Sequence, residues 1–164
     1  MIEPGSVITS LVKNDVAFVI VGELALAYYG FPTVTQVSEV CYSRTPANLE
    51  RIINALGPLR PQPRNNPHNP AFVFDEITLQ SGTNFTFYTK IGDIDLLGEV
   101  AGVGTYADIE KDSIGIEIFD QPVKVISLKA LIDAKRAAGR PKDLLILPEL
   151  EALLELQNDE EINS

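Results

Sequence analysis

The chain has 164 residues, 23 acidic against 13 basic side chains, and a formal charge of −10. Its composition is that of a globular domain, and no apolar run approaches the ~20 residues that span a bilayer. The one cysteine, Cys41, excludes an internal disulfide, and Cys41 with the one histidine, His68, cannot make an ordinary zinc site.

Met1 to Gly5 carries neither a basic region nor an apolar signal core, which predicts a cytoplasmic protein. Val7, Ile8, Leu11 and Val12 then recur at helical spacing. A short β-rich run, 17–21, is interrupted by Gly22, and a helix follows from Leu24 to Tyr29 with Gly30 as its stop. Residues 37–42 read as a strand with Val37, Glu39 and Cys41 on one face and Ser38 on the other. Thr45 caps a helix over 46–56, which Gly57-Pro58 ends.

The segment 58–70 holds five prolines and is expected to be an extended, exposed loop. His68 belongs to that loop, and Arg51, Arg60 and Arg64 look too scattered to form a site. Residues 73–79 fit helix or strand. Residues 84–90 alternate as a half-buried strand, and 93–97 form the next one after Gly92. A short helix over 106–111 precedes strands at 114–119 and 123–126. Ser127 caps a helix that runs to Ala138 and stops at Gly139. Pro141 opens another helical stretch, and Pro148 suits the first turn of a separate final helix. The expected organisation is one domain over 1–157 with a flexible acidic tail at 158–164. Strands mixed with helices, without a βαβ rhythm, predict a mixed α/β or α+β fold around one central sheet.

Three segments carry chemistry. Val21-Gly22-Glu23-Leu24-Ala25 joins a strand to a helix. Val37-Ser38-Glu39 follows, and Gly92-Asp93-Ile94-Asp95-Leu96-Leu97 comes much later. In order and spacing they resemble the nucleotidyltransferase superfamily of the DNA polymerase β type, most of all its small bacterial members, which include toxin-like enzymes of toxin–antitoxin pairs. That resemblance covers nearly the whole chain. It implies a nucleotidyltransferase-like fold and Mg²⁺-dependent transfer of a nucleoside monophosphate. The donor would be a nucleotide triphosphate, and the acceptor a hydroxyl on RNA, protein or a small molecule. Relatives carry Gly-Gly or Gly-Ser, then Asp-x-Asp, then a third Asp on another strand. Here the second glycine is Glu23, the first Asp is Val37 and the second is Glu39, while Asp95 matches.

The departures fall where the chemistry should be. Mg²⁺ needs hard oxygen ligands in near-octahedral geometry, and paired ions stabilise both ends of an in-line displacement. Valine offers no ligand, and glutamate sets its carboxylate one methylene farther out. The resemblance assigns metal binding to Glu39 and Asp95. Asp93, two residues before Asp95 and so on the same face, is either a compensating ligand or a solvated strand-edge acid. Glu39 is either a remnant ligand or a locally paired charge. Glu23 brings negative charge to the helix start near Gly22, where phosphate should sit, or serves as a first-turn acid complementing the helix dipole. Lys135, Arg140 and Lys142, in the densest basic stretch, would hold phosphate, or would instead be cations at a helix end with Lys142-Asp143 as a surface pair. Two readings of function stay open. One is an active enzyme, with Mg²⁺ and a nucleotide triphosphate. The other is an inactive relative that binds a protein partner or a ligand through the old cleft. A structural or regulatory protein sharing only the fold is a third.

Overall fold

The computed structural model describes residues 4–33, 37–66 and 69–163. His68 and the residues just before Val37 lie outside them. Helix α1 (Pro4–Lys13) leads into β1 (Phe18–Ile20), α2 (Gly22–Tyr28), β2 (Ser38–Tyr42) and α3 (Pro46–Leu56). A short 3-10 turn, Gly57–Leu59, comes before β3 (Gln62–Pro63), α4 (Glu76–Ser81), β4 (Asn84–Thr89) and β5 (Gly92–Leu97). A two-residue ribbon, β6 (Glu99–Val100) and β7 (Gly104–Thr105), leads to α5 (Tyr106–Glu110). The chain ends with β8 (Ile114–Ile118), β9 (Gln121–Val125), α6 (Leu128–Ala138) and α7 (Pro141–Asn163).

The main sheet has seven strands in the order β3-β4-β5-β2-β1-β9-β8. β5 runs parallel to β2 and β1 parallel to β9, while the other neighbours are antiparallel. This is the predicted mixed α/β architecture, a mixed central sheet flanked by helices. Helix α1 packs on α3 and across the sheet, and α6 packs on α7. The core between them includes Ile8, Leu11, Ile52, Leu56, Ile94 and Leu96.

Local chemistry explains most boundaries. Thr45 accepts the Asn48 N–H and Ser127 the Ala130 N–H, each as a helix N-cap. Gly139 ends α6 at φ +63°, in the left-handed region. Asp75 caps α4, which settles the ambiguous 73–79 segment as a loop running into a helix.

Two expectations need correction. Segment 58–70 is not wholly an exposed excursion. Pro61 is buried, Gln62–Pro63 pairs with β4, and the Arg64 N–H donates to the Thr86 carbonyl at 2.9 Å. Pro148 does not open a separate helix, because α7 is continuous from Pro141 through Asn163 with Pro148 inside it. Leu147 and Leu150 on either side of the proline are buried, and their packing holds the two turns in line. The acidic segment predicted as a tail continues this helix to Asn163, with residues 158–162 exposed.

Candidate functional site

β1 turns into α2 through Val21 and Gly22. Gly22 sits at φ +63°, and a Cβ there would collide with the Glu39 carboxylate. Both the backbone twist and the close approach demand glycine. Val21, the N-cap of α2, has no side-chain acceptor to offer. Glu39 supplies one from the neighbouring strand, since the Glu23 N–H donates to Glu39 Oε1 at 3.3 Å. The Val21 N–H donates to the Glu39 carbonyl at 3.0 Å, which fixes that glutamate beside the turn.

Glu39 on β2 stands opposite Asp95 on β5, and Asp95 stands opposite Thr86 on β4. Asp93 shares the face of Asp95, two residues along the same strand. Burial pushes the Glu39 carboxyl above its ordinary value. The charges of Asp95 and Glu23 push the same way, while the Glu23 N–H and the Lys135 ammonium pull back. Burial likewise raises Asp95, with Asp93 adding to it and Arg64 opposing.

Arg64 is the residue that sequence reasoning set aside. The β3–β4 pairing carries it beside Thr86, so Arg64, Thr86, Asp95 and Glu39 form one row across the sheet. Its guanidinium makes an ion pair with Asp95 Oδ1 and donates to the Phe87 carbonyl at 3.2 Å. The sequence signal was slight: one arginine among prolines, 31 residues from its partner.

The α6–α7 junction forms the opposite wall. Asp143 is buried, with 0 % of its side chain exposed, and it organises two of the predicted phosphate ligands. The Lys135 ammonium reaches Asp143 Oδ1 at 3.2 Å, and Arg140 Nε reaches Oδ2 at 2.6 Å. Burial acts to raise Asp143, but these cations win and hold its pKa at about 2. Lys142 and Asp143 are therefore not the surface pair that the sequence allowed. Lys142 instead lies 3.9 Å from the Glu23 carboxylate.

Gly22, Glu39, Leu97, Leu131, Lys135 and Arg140 line one cleft of about 190 Å³. Glu23 and Lys142 meet beside it, Asp95 stands next to Glu39, and Asp93 lies two residues along β5 from Asp95. Gly22, Glu23, Glu39, Asp95, Lys135, Arg140 and Lys142 are thus brought to one region. Among the described residues, no group of three histidine, cysteine or carboxylate side chains is placed to hold a metal ion. No described helix is long and apolar enough to cross a membrane.

A strand–glycine–helix turn facing carboxylates on two parallel strands, with a basic helix junction opposite, defines a nucleotidyltransferase-like fold. The solved structure of a Thermotoga maritima protein, provisionally described as a nucleotidyltransferase, shares this architecture. Its TM-score to this chain is 0.57 at 16 % identity, over 97 % of this chain and 96 % of the other. No protein-family model matches the sequence, and no curated protein matches it.

Proposed function

We propose that this is a nucleotidyltransferase-fold protein that has lost nucleotidyl transfer and acts as a binding or regulatory partner through the remaining cleft. One observation carries the reading: the Glu39 carboxylate occupies the space over Gly22 and accepts the Glu23 N–H in the first turn of α2. The family resemblance implies phosphate at that helix start. A phosphate oxygen ~4 Å from this carboxylate would be repelled by ~4 kcal/mol at an effective dielectric near 20.

The remaining donors agree. Val37 supplies no oxygen, Asp95 is engaged by Arg64, and Lys135 and Arg140 are engaged by Asp143. This set does not fit a pair of Mg²⁺ ions, each of which wants several oxygens free of competing cations. The reading of an active Mg²⁺-dependent transferase would need Glu39, Arg64 and Lys135 all to leave their present partners.

The test is titration calorimetry with the four ribonucleoside triphosphates, with and without Mg²⁺, alongside a pyrophosphate-release assay. The expected result is no nucleotide heat and no pyrophosphate. Mg²⁺-dependent binding accompanied by pyrophosphate release would overturn the proposal. The combined change Glu23→Gly, Val37→Asp and Glu39→Asp should restore Mg²⁺-dependent nucleotide binding, because it clears the turn and returns the paired carboxylates. A folded triple variant that remains inert would count against the assignment of the cleft itself.

A further inference from the structure

β8 ends the main sheet, and among the described residues no strand pairs with its outer side. Edge strands are ordinarily blunted by lysine, proline or a bulge. Ile114-Gly115-Ile116-Glu117-Ile118 contains neither lysine nor proline, its one charge is the exposed Glu117 on the face opposite the isoleucines, and it pairs with β9 in unbroken register. Its ends are apolar and open, with Ile114 41 % and Phe119 42 % exposed.

The hairpin fixes which backbone groups face outward. Phe119 and Asp120 form its two-residue loop, at φ 53° and 61°, and Ile118 pairs with Gln121. The pair that closes such a turn exchanges both of its hydrogen bonds, and bonded and non-bonded pairs then alternate. Ile118, Ile116 and Ile114 therefore bond to β9, while Gly115 and Glu117 turn their N–H and C=O groups outward. Pro122 supports this phase independently: it stands opposite Glu117, a position at which β9 needs no N–H.

We propose that β8 pairs antiparallel with β8 of a second copy, about a two-fold axis through Ile116. Three registers let outward groups meet. Centring on Gly115 sets Glu117 against Ser113, beyond the end of the strand. Centring on Glu117 sets two like charges face to face, which is unfavourable. Centring on Ile116 pairs each Gly115 with the partner's Glu117, so that every outward N–H of the strand meets an outward C=O. Ile114 then faces the partner's Ile118, and Ile116 faces its own copy, giving a ladder of isoleucines on one face. A groove of about 840 Å³ lined by Val12, Val16, Ile116 and Val123 opens beside this seam and offers apolar surface for the partner's side chains. The contact is isologous, so it closes as a dimer and does not propagate into a fibre.

The test begins with the mass of the full chain by sedimentation equilibrium, where a dimer is expected. The residue on the axis lies in a non-hydrogen-bonded pair, whose Cα atoms are about 4.5 Å apart, within disulfide reach. Ile116→Cys should cross-link to itself under oxidised glutathione, and Glu117→Cys should not. Cys41 is buried and does not compete. Gly115→Pro removes one outward N–H, and nothing lies within 4 Å of the added Cβ. It should weaken the dimer by about tenfold or more while leaving the circular dichroism unchanged. A native chain that stays monomeric at every concentration would overturn the proposal, whether or not it captures an added β-strand peptide. Self-cross-linking of Glu117→Cys without that of Ile116→Cys would overturn the register.

Discussion

Ser38 sits at the residue most directly coupled to the site, and its cost is legible. Its hydroxyl is fully buried and has no hydrogen-bond partner among the described residues, on the face of β2 opposite Glu39. A buried hydroxyl left unpaired destabilises, and alanine removes it without adding volume. Ser38→Ala should therefore raise the unfolding free energy by about 1 kcal/mol in a urea titration. Glu39 and Asp143 shift in opposite directions, which shapes the pH profile. A raised carboxyl pKa means that the folded state holds its proton longer than the unfolded state does. Glu39 and Asp95 thus favour folding at mildly acid pH and lose that contribution as pH rises through their elevated values. Asp143, held at about 2, contributes stability above the ordinary carboxylate value, and this is lost as pH falls towards 2. Glu39→Gln keeps an acceptor for the Glu23 N–H and removes the ionisation. Melts across the range above pH ~4 should show a flatter fall in stability with rising pH than in the native chain. An unchanged slope would mean that Glu39 is not buried as described.

At the scale of elements, caps and turn residues were the readable signals, and packing was the unreadable one. Thr45, Ser127 and Gly139 marked helix ends in the sequence, and the helices begin and stop where these residues require. The alternation of β4 and β5 was equally plain, because one face is buried and the other lies toward the site. Pro148 misled because an isolated helix would break there, whereas here the buried Leu147 and Leu150 override the local preference. The proline still removes one N–H from the ladder and crowds the carbonyl four residues earlier. Its side chain is exposed, so nothing in the core depends on it. Pro148→Ala should raise the melting temperature, with a gain of about 1 kcal/mol or more and slightly higher helicity by circular dichroism. A loss of stability would instead assign Pro148 itself a packing role. Segment 58–70 misled in a different way. Its prolines signalled an open loop, but two residues of strand pairing with β4 were enough to bring Arg64 onto Asp95.

For the molecule as a whole, the carboxylates were found because strand periodicity and the order of the segments locate them. Two ion pairs were not found: Arg64 reaches Asp95 from a remote segment that only the assembled sheet brings in, and Asp143 turns inward to hold Lys135 and Arg140. Overall charge also bears on assembly. Each copy carries −10, so two copies repel at long range, while the β8 seam sets isoleucine on its axis and Glu117 of each copy opposite the partner's uncharged Gly115. Raising salt screens that repulsion. Sedimentation should show the dimer tightening as ionic strength increases, where a charge-driven association would loosen. The interlock of Gly22 with Glu39 reaches beyond stability, into heredity. As long as the glutamate leans over that turn, the glycine cannot mutate. Trimming the glutamate alone leaves the Glu23 N–H without its acceptor. The two positions are thus expected to change together and not one at a time.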